Sequence, residues 1–175
     1  MKQQRQLTPE APHVIYGPGS RGQREPAAWA GHSEEGTMSR GILVFKEGEQ
    51  ILAIVIRSDF SREGIEFFTP ADFSQQMAYM KHKKGKTIKA HRHNLVKREV
   101  HFTQEVLFIK RGRLKVDLYS SSKEYMESVV LGPGDIILLA SGGHGFEILD
   151  DLEMIEVKQG PYAGDQDKSY LEAEP

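Results

Sequence analysis

The sequence predicts an all-β domain, either a sandwich or a barrel. Short runs rich in Val, Ile, Leu and Phe recur along most of the 175 residues, turn residues separate them, and apolar positions almost never follow a helical period. No internal repeat and no second core is evident.

Residues 1–40 come before these runs. They carry Pro9, Pro12, Pro18 and Pro26 among many polar groups. Such a stretch buries too little apolar surface to offset the entropy of ordering, so a largely disordered leader is expected. Met38 stands just before the first apolar run and is a second candidate for the translation start. A single β domain is expected over residues 41–165, with a polar tail over 166–175.

Ile42-Leu43-Val44-Phe45 and Ile51-Leu52-Ala53-Ile54-Val55-Ile56 flank Lys46-Glu47-Gly48-Glu49 and read as a hairpin of two strands buried on both faces. Ile65-Glu66-Phe67-Phe68 reads as a strand ended by Thr69-Pro70, and residues 75–80 read as a strand in preference to a helical turn. A basic turn follows at Lys81-His82-Lys83-Lys84-Gly85-Lys86. Residues 87–93 alternate, which predicts a strand with His91 and His93 on one side, because side chains repeat with period two. Residues 105–109 and 114–119 read as a hairpin about Lys110-Arg111-Gly112-Arg113. Residues 125–131 form a further strand, Gly132-Pro133-Gly134-Asp135 a tight turn, and Ile136-Ile137-Leu138-Leu139 a buried strand. Gly142-Gly143-His144-Gly145 brings a histidine to a strand start, and residues 146–149 with 152–158 read as the last hairpin.

Charge and composition narrow the function. With Lys+Arg at 23 against Asp+Glu at 25 there is no basic excess to favour nucleic acid. No stretch approaches the roughly 20 apolar residues of a membrane helix, and no apolar run follows the N-terminus as in a signal peptide. A soluble cytoplasmic protein without a membrane partner is expected. The chain has no Cys, so a metal ion would be held by nitrogen and oxygen alone. His91, His93, Glu105 and His144 are the ligand candidates, three imidazoles and a carboxylate carried on or beside strands. Such a set suits Fe(II), Mn(II), Ni(II) or Zn(II) and leaves room for substrate on the ion. For proton transfer the candidates are His101, and Glu156 with Lys158, which share one strand face.

These residues resemble the motifs of the cupin superfamily, small jelly-roll barrels that bind a metal through two motifs. The first family motif reads Gly, five residues, His-x-His, three or four residues, Glu, six residues, Gly. Gly85, His91, His93, Glu105 and Gly112 follow it, except that eleven residues separate His93 from Glu105. That longer interval leaves Glu99 and His101 as alternatives to Glu105 in the ligand position. The second motif is matched by Gly134 and Gly142, with Ala140 at the place of its Pro, His144 one residue early and Ile148 at the place of its Asn. The resemblance covers residues 85–158. In addition, Met154-Ile155-Glu156-Val157-Lys158-Gln159-Gly160-Pro161-Tyr162-Ala163-Gly164-Asp165 is similar to the closing segment of cupin-type mannose-6-phosphate isomerases, and the whole chain resembles small cupins encoded beside polysaccharide and nucleotide-sugar genes. The resemblance implies a cupin-like jelly roll with a divalent metal ion, acting on a small polar substrate such as a sugar or sugar derivative by isomerase- or epimerase-type chemistry. A non-catalytic ligand-binding protein, serving as sensor or accessory, and a metal-dependent dioxygenase are the alternatives. Exposed sheet edges predict a homodimer.

Overall fold

The structure is a computed structural model that describes residues 40–171; the expected leader lies outside the described residues. The described residues form ten strands and one short 3-10 turn. The strands are β1 (Ile42–Glu47), β2 (Gln50–Ile56), β3 (Gly64–Phe67), β4 (Ala78–Lys81), β5 (Glu105–Arg111), β6 (Leu114–Tyr119), β7 (Tyr125–Leu131), β8 (Ile136–Leu139), β9 (Gly143–Ile148) and β10 (Glu153–Lys158). They make a five-stranded sheet in the order β1-β2-β8-β5-β10, a three-stranded sheet in the order β7-β6-β9, and the separate pair β3-β4. The class is all-β, as expected, but these sheets do not close into a barrel.

The five-stranded sheet is apolar on both faces, and this fixes its place at the centre. Side chains alternate along a strand. Ala53, Val55, Leu107, Ile109, Ile137 and Leu139 therefore face the three-stranded sheet, where they pack on Leu114, Val116, Leu118, Val129 and Leu131. Ile54, Ile56, Leu138 and Ala140 point the other way and are covered by Phe60, Met77, Phe68 and Tyr79. Phe60 meets Phe68 and Tyr79 edge-on, at 5.4 and 5.1 Å. β2 and β8 are buried on both faces because the three-stranded sheet covers one face and the layer of Phe60, Met77, Phe68 and Tyr79 covers the other. β1, expected to be buried likewise, alternates between buried and open positions because it is an edge strand with β2 as its one neighbour.

Two expected hairpins are not hairpins. β5 bonds to β8 and β10, whereas β6 bonds to β7 and β9, so Gly112 and Arg113 carry the chain from one sheet to the other. The connection from β9 to β10 crosses between the sheets in the same way. The two crossings pack on each other. Leu149 N donates to Arg113 O at 3.0 Å, Arg113 Nε donates to Asp150 Oδ2 at 2.5 Å, and Gly112, at φ +83°, stands where a Cβ would lie 2.2 Å from Asp151 O. The pattern of apolar residues is the same for a hairpin and for a corner, so only the packing of these two turns separates them. The third correction is larger. Residues 82–104 contain no strand, so His91 and His93 lie on an irregular, exposed segment in place of the expected β-strand.

The Gly132-Pro133-Gly134-Asp135 turn is structural. Asp135, 6% exposed, accepts from Ser58 N and Arg57 Nη1 at 2.8 Å and from Gly132 N at 3.0 Å, and so ties β8 to the end of β2.

Candidate functional site

Register places the polar groups. In antiparallel pairs, directly opposed residues share a face. Glu105 opposes Lys158, Leu107 opposes Glu156 and Ile109 opposes Met154, and Leu107 and Ile109 belong to the core between the sheets. Glu105, Glu156 and Lys158 therefore point inward. On the facing sheet His144 opposes Leu118, Phe146 opposes Val116 and Ile148 opposes Leu114, so this row of β9 also points inward. Beyond the apolar core the two inward rows meet at an open mouth, bounded by β9 and β10, the free edges of their sheets.

At this mouth His144 Nε2 lies 3.3 Å from Glu105 Oε2, and Lys158 Nζ lies 3.7 Å from Glu105 Oε1. The ammonium is also 3.6 Å from Glu156 Oε1 and 3.7 Å from Asp167 Oδ2, and it stands 5.8 Å from the Tyr162 ring centroid. The His144 ring stacks on Phe146 with 5.1 Å between centroids, which fixes its plane. Gly142 sets the entry to β9. Its φ is +68°, and a Cβ there would lie 2.3 Å from Tyr119 O, so the chain passes too close to β6 for any side chain.

The charges are coupled. The hydrogen bond with His144 is the main reason the Glu105 carboxyl is held below the ordinary carboxylate value; burial opposes it, and the Lys158 charge reinforces it. Partial burial pulls the Lys158 ammonium down, but Glu105, Glu156 and Asp167 together outweigh it and raise it above the ordinary lysine value. Glu105 is thus an ionised acceptor, and Lys158 a charged donor.

Four of the seven candidate residues meet here: Glu105, His144, Glu156 and Lys158. His91 and His93 do not. Their rings lie 5.4 Å apart, edge to face, on the exposed segment, where His91 Nδ1 is 2.9 Å from Lys89 O. Among the described residues no group of three or more His, Asp or Glu side chains is placed to hold a metal ion. His101 lies elsewhere, in a cavity of about 420 Å³ whose lining includes Glu49, Asp72, Phe73, Glu99 and Gln104. Gln104 packs beside Ala140, so this cavity is on the face of the five-stranded sheet opposite to Glu105. Glu99, the other alternative ligand, pairs with Lys97 at 3.3 Å.

Asp167 and Tyr162 are the site residues that the sequence reading missed. They follow β10 in irregular chain, where a 3-10 turn at Gly164–Gln166 turns the backbone. No periodicity marks such positions.

The fold and the site define a two-sheet β protein with a carboxylate, an imidazole and an ammonium at an open mouth. The chain was compared with protein-family models, with curated proteins and with solved structures, and nothing matched in any of the three. Among the described residues no helix is long and apolar enough to cross a membrane.

Proposed function

We propose that the mouth between β9 and β10 binds a small polar substrate, best a sugar or sugar derivative of polysaccharide biosynthesis, and transfers protons on it in isomerase- or epimerase-type chemistry. The observation that carries this reading is the convergence of Glu105, His144 and Lys158 on one opening. A carboxylate bonded to an imidazole orients it as a base, and an adjacent ammonium stabilises the oxyanion that forms when a proton leaves carbon next to a carbonyl. In this scheme Glu105 fixes the ring, His144 takes the proton, Lys158 donates to the developing oxyanion, and Glu156 and Asp167 hold Lys158 charged and in place.

We further read the two sheets as an incompletely closed cupin-like jelly roll. Support comes from the alternation of consecutive strands between sheets from β7 to β10, and from the unpaired edges of β9 and β10. Segment 87–93 would add to this opening and carry His91 and His93 toward Glu105 and His144. Those four residues would then hold a divalent ion by nitrogen and oxygen only, a donor set that suits Fe(II), Mn(II), Ni(II) or Zn(II). Bound there, such an ion supplies Lewis acidity toward a carbonyl oxygen.

Two measurements test the reading. Purified protein should carry about one equivalent of divalent metal, and His91→Ala should release most of it. Less than about a tenth of an equivalent, unaffected by His91→Ala, sinks the metal site. In deuterated buffer a panel of aldoses, ketoses and nucleotide-linked sugars should show solvent exchange at the carbon beside the carbonyl, abolished by Glu105→Gln. Binding without exchange would favour the non-catalytic reading. The cavity beside His101 supports that second reading, since it mixes Phe73 with polar side chains as ligand sites do.

A further inference from the structure

We infer that two copies of this chain exchange residues 82–98, so that the segment of one copy closes the mouth of the other. The inference rests on the mouth as the functional site, and it names the partner that completes it.

Residues 82–98 contain Lys83, Lys84, Lys86, Lys89, Arg92, Lys97 and Arg98 and not one Asp or Glu. The other 158 residues carry 16 Lys+Arg against 25 Asp+Glu, so the chain divides into a basic segment and an acidic remainder. The segment is exposed along its whole length. Its hydrogen bonds are local, Lys86 N to Lys83 O at 3.2 Å and His91 Nδ1 with Lys89 O. Yet it and the residues just beyond carry apolar side chains, with Ile88 58%, Val96 56% and Phe102 63% exposed and Leu95 without cover. Exposed apolar side chains grouped along an unpaired segment mark a candidate interaction surface.

The mouth offers uncovered apolar side chains, free strand edges and an acidic excess. Phe146 and Ile148 point inward from β9 yet are 41% and 65% exposed, because nothing roofs them. β9 is paired on one side by β6 and β10 on one side by β5, so both free edges offer backbone groups to an added strand. Glu105, Glu156 and Asp167 share the single ammonium of Lys158 at the opening and so leave it net acidic, and Glu147, paired with Lys115, stands on the edge strand.

Within one chain the segment bonds to neither open edge. Between two copies a single two-fold operation satisfies both segments and both mouths, and exchange of an identical element is a low-cost route to a dimer. His91 and His93 at each mouth then come from the partner copy.

The chain has no Cys, which makes placement of the segment directly readable. Ala90→Cys and Glu147→Cys are exposed substitutions on the segment and on the β9 edge. The two variants, co-expressed with different tags and treated with a short bismaleimide, should give a crosslinked species carrying both tags. Light scattering of the unmodified protein should give twice the 19.7 kDa chain mass. Lys83→Glu/Lys86→Glu/Lys89→Glu should weaken the dimer at least about tenfold, as expected for charge-steered pairing. A double variant that crosslinks only within one chain shows the segment folding on its own body and overturns the inference, and so does a monomeric mass at every concentration. The readout needs neither metal nor turnover. Crosslinked copies without bound metal would leave the exchange standing and remove the metal site; bound metal in a monomer would do the reverse.

Discussion

Glu105→Gln tests the electrostatics of the mouth, and the expected loss follows from burial. An exposed ion pair contributes about 0–1 kcal/mol, whereas removing one partner of a fully buried pair costs about 3–5 kcal/mol. The Glu105 side chain is 16% exposed and His144 30%, so their bond lies between these limits. We expect Glu105→Gln to lower stability at pH 7 by about 1–2 kcal/mol, discounted toward the exposed limit for the solvent that reaches His144. The sign of the pH dependence follows from the direction of the shift. A carboxyl held below its ordinary value of 4.5 contributes stability that is complete above that value and is lost as pH falls through the depressed one. Urea midpoints of wild type and variant should therefore differ at neutral pH and converge as pH falls below 4.5 through the depressed value. The slopes should match, since no surface exposed on unfolding is changed. A gap that persists or widens in acid would show that something other than the carboxylate charge was removed. In His144→Asn, which lacks the ring that holds the carboxyl down, the NMR titration midpoint of Glu105 should move upward.

Two further substitutions test how the frame holds the site. Asp135→Ala removes the acceptor of three hydrogen bonds and leaves the Ser58 and Gly132 amides without their acceptor, so it should cost about 3–5 kcal/mol in urea unfolding. A loss below about 1 kcal/mol would mean that water replaces the carboxylate at no cost. Gly142→Ala places a Cβ 2.3 Å from Tyr119 O at a positive φ and should cost more than about 2 kcal/mol, while Gly145→Ala, whose nearest neighbour is a Tyr119 ring carbon at 3.8 Å, should stay within about 1 kcal/mol of wild type. Equal losses at both glycines would refute the close-approach argument.

What could be read from the sequence follows from the range of the forces involved. Local alternation set β2, β6 and β8 almost to the residue, because burying a side chain on alternate positions, or on all of them, leaves a direct mark on composition. It also put Glu156 and Lys158 on one face; the structure adds Glu105 to that face from β5 and brings His144 against it from the facing sheet. Partner choice left no such mark. β5 and β6 look like a hairpin by every local criterion, yet the Gly112 turn, pressed on Asp151, sends them to different sheets. Alternation also predicted a strand over 87–93, where the structure has none. A strand needs a neighbour to take its backbone hydrogen bonds, and no neighbour within the described chain takes these. The same alternation, the unroofed Phe146 and Ile148, and the unpaired edges of β9 and β10 are then two halves of one unmet requirement, with strand propensity on one side and a strand-shaped vacancy on the other. An acidic body and a basic segment make it electrostatically favourable for one to meet the other, and because both are present in every copy, the exchange we infer would leave neither half unpaired.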